Sequence, residues 1–146
     1  MTIRKYQDTD REAVLELLRL NTPQYFAEEE MPDLIYYLDY HASHYYVAEF
    51  ESRLLGCGGI NFSDDGQMAK LSWDIVHPQS QGNGIGRALI HFRIEKIRET
   101  PTIKIISVRT SQLVWKFYEK FGFETKEIIR NFWAEGFDLY RMEREV

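Results

Sequence analysis

Chemistry is concentrated in the run Val76-His77-Pro78-Gln79-Ser80-Gln81-Gly82-Asn83-Gly84-Ile85-Gly86-Arg87-Ala88-Leu89. Gly82, Gly84 and Gly86 stand at alternate positions between a strand-like segment and a helix-like one. Glycine lets the backbone fold tightly with no side chain in the way, so several N–H groups can converge on one point. A helix starting near Gly84 adds its own unsatisfied N–H groups and the positive end of its dipole, worth up to about 2 kcal/mol when partly buried. The expected ligand is an anion. A net charge of −5 does not oppose it, because surface charges beyond a Debye length of about 8 Å are largely screened.

Two phosphate-binding patterns fail on residue type. A nucleoside-triphosphate loop needs Gly-Lys followed by Ser or Thr, whereas Gly86 is followed by Arg87-Ala88. A dinucleotide loop needs Gly-x-Gly-x-x-Gly, but the closing position falls on Leu89 or Arg87, and the strand after the helix leads to Arg109 rather than to an acid. Asp74 is a further candidate, because a carboxylate at the edge of a hydrophobic strand is costly unless it is paired or functional. It either accepts a proton, directly or through water, or is solvent-facing or salt-bridged. No cluster of His, Cys, Asp or Glu has metal-ligand spacing, so no metal is expected.

The elements that must position these residues follow from periodicity. Thr2 to Tyr6 predicts a strand, and Thr9-Asp10-Arg11-Glu12 reads as a capping box opening a helix whose buried stripe is Val14, Leu17 and Leu18. Residues 22 to 32 read as an exposed connection to a short helix from Pro32-Asp33 to about Tyr40, with Leu34, Ile35 and Leu38 inward. Strands are expected at Tyr45 to Phe50, Leu54 to Asn61 and Met68 to Val76. The run Gly56-Cys57-Gly58-Gly59 is poor strand material and predicts a bulge or a backbone closely approached by another group. A helix from about Gly84 to Glu99, a strand Lys104 to Val108, a helix Ser111 to Phe121 and two strands near Phe123 to Ile129 and Phe137 to Arg144 complete the order. Together these predict a mixed α/β sheet with helices on both faces.

Composition bounds the rest. A chain of 146 residues, 44% hydrophobic and 28% charged, suits one domain, residues 1–146. No stretch approaches the roughly 20 apolar residues of a bilayer span, the amino terminus lacks the apolar core of a signal peptide, and a lone Cys57 fits a reducing compartment. A cytosolic protein is expected, without membrane contact. The acidic balance argues against nucleic acid.

The pattern Gln81-x-x-Gly84-x-Gly86, with Val76-His77-Pro78 before it and Arg87-Ala88-Leu89 after it, resembles the coenzyme A loop of the GNAT acyltransferase superfamily. Phe117-Tyr118-Glu119-Lys120-Phe121-Gly122-Phe123 is similar to that family's late helix and its Gly-Phe entry into the next strand. The resemblance implies a mostly antiparallel sheet of about six or seven strands with a parallel, splayed pair in the middle. It implies acetyl-CoA as donor and an amine, small-molecule or peptide, as acceptor. Gln81, Gly82, Asn83, Gly84, Ile85, Gly86 and Arg87 would hold the cofactor. Ile75 and Val76 would offer backbone groups to the pantetheine arm and to a developing oxyanion, and Tyr118 would protonate the departing thiolate. Where the family has Asn seven residues before that Tyr, this chain has Ser111, a position expected to touch the cofactor. The implied activity is N-acetyl transfer by direct attack on the thioester; the alternative is a non-catalytic acyl-CoA-binding or sensing module. Glu28-Glu29-Glu30 reads as a field for a cationic amine or as ordinary first-turn acids, and His41 and His44 as cleft-lining or simply exposed. The acceptor and the choice between monomer and homodimer stay open.

Overall fold

Hydrophobic alternation and helical stripes settle into one sheet with helices on both sides. The computed structural model describes residues 1–146. The elements are β1 (Thr2–Lys5), α1 (Arg11–Leu20), α2 (Met31–Tyr40), β2 (Tyr45–Phe50), β3 (Arg53–Phe62), β4 (Met68–Val76), α3 (Ile85–Arg98), β5 (Ile105–Thr110), α4 (Trp115–Glu119), β6 (Glu124–Ala134) and β7 (Phe137–Glu145). The seven strands lie in the order β1-β2-β3-β4-β5-β7-β6. Every neighbouring pair is antiparallel except β4 and β5, which run parallel across the α3 crossover.

Each face buries its own apolar set. On one, Val14, Leu17 and Leu18 of α1 and Leu34, Tyr37 and Leu38 of α2 pack on Tyr45, Val47, Cys57 and Ile75. On the other, Ile90, Ile94 and Ile97 of α3 and Tyr118 of α4 pack on Ile60, Ala69, Leu71, Ile106 and Met142. The expected stripe of α1 is thus the buried one. In α2 it is Tyr37 that turns inward, while Tyr36 is 58% exposed.

Several expected boundaries shift for identifiable reasons. The box at Thr9 and Glu12 does not form; instead Asp10 accepts the Gln7 N–H at 2.9 Å and is gripped by Arg4 at 2.9 Å, so a 3-10 turn over Asp8–Asp10 precedes α1. A carboxylate with a guanidinium partner outcompetes a neutral hydroxyl. The last helix is shorter than expected, because the Ser111 carbonyl takes both the Val114 and Trp115 N–H groups in a turn. Gln112 is drawn off to Gly136 and Asp138 of the β6–β7 hairpin. The connection 22–32 is not wholly exposed: Ala27 and Glu30 are buried, and Glu30 accepts the Ala27 N–H at 2.8 Å.

The glycine run of β3 is a cradle. Its register with β4 slips between Cys57 and Gly59, where Trp73 and Asp74 stand opposite Gly58, and Trp73 takes a positive φ of 50°. A β-carbon on Gly58 would lie 2.8 Å from both the Arg93 guanidinium and the Asp74 carboxylate. We expect Gly58→Ala to cost about 1–3 kcal/mol through overpacking, read as a lower denaturant midpoint with unchanged slope. Burial holds the Glu30 carboxyl above the usual glutamate range, with the Ala27 N–H opposing. A raised carboxyl contributes stability below its unfolded pKa that is lost as pH rises through its folded one. Glu30→Gln should therefore raise the melting temperature at neutral pH and leave it nearly unchanged near pH 4, measured by calorimetry across that range.

Candidate active site

The parallel pair in mid-sheet is paired only from Met68–Leu71 to Ile105–Val108. Beyond it β5 continues beside β7 through Thr110, while β4 runs on beside β3 to Val76. The strands part and leave a cleft of about 470 Å³. The His77 N–H donates to Leu55 O at 2.8 Å, so by strand alternation Val76 turns its backbone away from β3, toward the side where β5 has left. Its carbonyl accepts Asn21 Nδ2 at 3.1 Å. The Ile75 side chain is buried in the core, and by the same alternation its main chain is turned toward Cys57 of β3, so Ile75, expected to offer backbone groups, presents none to the cleft.

The loop after β4 delivers the open end of α3. His77 caps a 3-10 turn over Pro78–Ser80, its Nδ1 accepting the Gln79 N–H at 3.1 Å; it is a turn residue. Gly82 and Gly84 have φ values of 87° and 83°, a conformation side chains resist, and Gly84 is the N-cap of α3 with no side-chain cap. The first helical acceptor is used by Ala88, whose N–H reaches Gly84 O at 3.0 Å, leaving the N–H groups of Ile85, Gly86 and Arg87 without helical partners. These groups form an anion cradle at the positive end of a helix. The Ile85 side chain packs inward on Ala48 and Leu89, so this residue offers only backbone. Gly86 is required for space: a β-carbon there would meet Phe117 of α4 at 2.9 Å. Arg87 lies over the Phe121 ring at 5.6 Å, and Gln81 Nε2 stands 3.4 Å from Asn21 Oδ1. Ser111 is buried, its Oγ accepting the Leu113 N–H at 3.2 Å; it lines the cleft and shapes the turn into α4.

Across the split stands a network that joins four elements, α3, β3, β4 and α4. Arg93 of α3 has no solvent exposure. Its Nη1 and Nη2 donate to Asp74 Oδ1 and Oδ2 at 2.5 and 2.9 Å, its Nη1 also to Gly59 O at 3.1 Å and its Nε to Leu89 O at 3.0 Å. The Tyr118 hydroxyl of α4 donates to Asp74 Oδ2 at 2.6 Å. Burial drives the Tyr118 phenol well above its ordinary pKa, the Asp74 charge adds to this, and Arg93 opposes it. Tyr118 and Asp74, expected from sequence, thus meet, with Asp74 in a bidentate ion pair. The partner Arg93 went unrecognised in sequence, although it interrupts the stripe of Leu89, Ile90, Ile94 and Ile97 on the buried face of α3.

Aromatic side chains wall the other end of the cleft. Phe26 stacks on Trp73 at 6.1 Å, and Trp133 Nε1 donates to Thr110 O at 3.1 Å. Tyr25, Glu30 and Tyr37 complete this wall, whereas His41 and His44 lie outside it, His41 near Tyr36 and His44 on Phe62. Of the Glu28-Glu29-Glu30 run, only Glu30 reaches the cleft. No group of three or more His, Cys, Asp or Glu is placed to hold a metal ion.

Known proteins share parts of this sequence and its fold. The chain is 40% identical over 73 residues to an uncharacterized N-acetyltransferase, ycf52, of Pyropia yezoensis, covering 49% of this chain and 40% of that one. It is 28% identical over 89 residues to an amino-acid acetyltransferase of Neisseria meningitidis, covering 61% of this chain and 20% of the relative. The chain therefore spans less than half the length of these curated relatives. The crystal structure of a ribosomal-protein-alanine N-acetyltransferase from Brucella melitensis superposes with a TM-score of 0.79 at 19% identity, over 100% of both chains, a likeness of fold. The profile of the Acetyltransferase (GNAT) family matches residues 12–123, which takes in the anion cradle, the split strands and Tyr118; the chain belongs to the GNAT acetyltransferase family.

Proposed function

We propose that this protein is an acetyl-CoA-dependent N-acetyltransferase that passes the acetyl group directly from the thioester to a primary amine. The observation that carries this reading is the placement of a proton-bearing phenol, Tyr118, on a buried ion pair inside the split between β4 and β5. The residues present fit the donor. The uncapped first turn of α3 offers N–H groups to a pyrophosphate, Gly82 and Gly84 carry no side chain over it, and the Val76 backbone faces the cleft as a strand edge for an extended amide arm.

Attack forms a bond from the amine nitrogen to the acyl carbon and breaks the carbon–sulfur bond, with one proton passing overall from nitrogen to sulfur. The amine must arrive neutral. Its proton goes to Asp74, directly or through water. The Val76 N–H is the donor for the charge developing on the acyl oxygen, a role in which one donor is commonly worth 10² to 10³ in rate. Tyr118 stays protonated at neutral pH because burial raises its pKa; it supplies the proton to the leaving sulfur, and the proton taken by Asp74 returns to the phenolate along their 2.6 Å hydrogen bond, so both groups are restored. A protein that only bound the coenzyme would need no phenol held in this way, which favours turnover over a sensing role. Cys57 is a single free thiol, buried and pushed up to about 12, in keeping with a cytosolic protein; no helix is long and apolar enough to cross a membrane.

Saturating CoA should stabilise the fold by about 2.7 kcal/mol at 100 times its Kd, seen as a higher melting temperature that ATP and NAD do not reproduce. Tyr118→Phe should keep that shift while lowering kcat for thiol release by roughly 10² to 10⁴. Absence of any CoA-dependent shift overturns the donor assignment, and full turnover in the Phe variant overturns the role of Tyr118.

A further inference from the structure

The cleft has a second polar end, away from Tyr118. Lys70 of β4 and Arg109 of β5 both line it. In the paired part of these strands, Ala69, Leu71, Ile106 and Val108 are buried against α3 and α4. Alternation therefore sends Lys70 and Arg109 to the opposite face on diagonal positions: Lys70 stands opposite Ser107, and Arg109 follows Val108, the last paired residue of β5, where the strands part. The ion pairs of the molecule leave both cations out. Arg109 lies over the Phe132 ring at 6.0 Å, on the β6–β7 hairpin that supplies Trp133 to the same wall. Crowding, and then the charge of Arg109, hold the Lys70 ammonium below the usual lysine range.

A third group points to the same absent partner. Ser72 Oγ, in a residue 7% exposed that lines this cleft, makes no well-formed hydrogen bond; its polar neighbour is the Tyr37 hydroxyl, which is already committed to Asn61 Oδ1 at 2.6 Å. An anion placed here would give the Ser72 hydroxyl an acceptor and would lower the repulsion between two solvent-exposed cations that water alone now screens. The acids on the remaining walls are already engaged: Asp74 by Arg93 and Tyr118, and Glu30 by the Ala27 N–H. A strand rises about 3.4 Å per residue, which sets Lys70 roughly 7 Å from Ser72 and about 14 Å from Asp74 along β4. Both side chains that bear the cations are long enough to shorten that span.

We infer that the acceptor is an anionic amine, an amino acid or short acidic peptide whose carboxylate docks on Lys70 and Arg109 with a hydrogen bond from Ser72, while its amino group faces Asp74 and Tyr118. This inference rests on the acetyltransferase reading and narrows its acceptor. Polycations such as diamines and aminoglycosides are the wrong charge for this end of the cleft.

The test compares amino acids and acidic dipeptides with their own carboxamides, and with putrescine, by thiol release from acetyl-CoA and by calorimetric binding in the presence of CoA. Carboxylates should be preferred over their carboxamides and over putrescine by at least tenfold in kcat/KM. Lys70→Met and Arg109→Met should each raise KM for the carboxylate by about 10- to 100-fold, with kcat and the CoA-induced melting shift unchanged and little effect on the carboxamide; Arg109→Lys should recover part of the loss. Preference for putrescine or the carboxamides, or equal losses on both kinds of acceptor, overturns the inference while the acetyltransferase reading stands. If no amine releases thiol but carboxylates bind and Lys70→Met abolishes that binding, the inference stands and the reading of turnover fails. Neither release nor binding overturns both.

Discussion

The fully buried guanidinium of Arg93 constrains everything around it. A charge without water is tolerated only when its donors are met by an anion and by well-placed carbonyls. Here Asp74, Gly59 O and Leu89 O supply them. To bring these groups together, β3 must forgo a side chain at Gly58, β4 must carry an extra residue opposite it, and α3 must lie across both strands. The glycine run of β3 and the bulge of β4 are two halves of one accommodation. Tyr118 joins as a third party, so the last helix is oriented by the same ion pair.

Such a pair is weak evidence for net stability, since apolar replacements of similar volume often do as well. Its value lies in geometry. Asp74 is held from two directions and cannot swing, and the phenol that depends on it is held in turn. Positioning of this kind, with the reacting groups fixed before the substrate arrives, is what lets dipoles and protons act without reorganisation.

The parts of the site that were readable from sequence are those whose requirement is local. Gly82 and Gly84 announce themselves because positive φ is demanded within their own turn, whereas the need for Gly86, the close approach of Phe117, is visible only in the fold. Tyr118 was readable through its neighbours Gly122 and Phe123 in the resemblance to a family. Arg93 was not, because a single cation in a helical stripe reads as a surface residue until the strand beneath supplies its counter-ion. The shared face of Lys70 and Arg109 was equally hidden, since it depends on the register of strands separated by the whole of α3. The cap of α1 misled for the opposite reason: Thr9 and Glu12 satisfy a local rule, but Arg4 arrives from β1 and recruits Asp10 instead. Asp74 left two readings, because only the packed helix decides whether a strand-edge acid finds an ion pair.

The bulge at Trp73 makes the parity of β4 a chemical variable. Leu71 faces α3 and α4 while Ile75, an even number of residues later, packs on the α1 side; an unbroken strand would leave both on one face. Residue count, rather than residue identity, therefore assigns Asp74 to the face of Arg93. Substitutions along this strand can be absorbed by its neighbours, but losing a single position between Ser72 and Ile75 would exchange the inside and outside of all that follows. The dependence is digital: the acid either meets the guanidinium or turns its back on it.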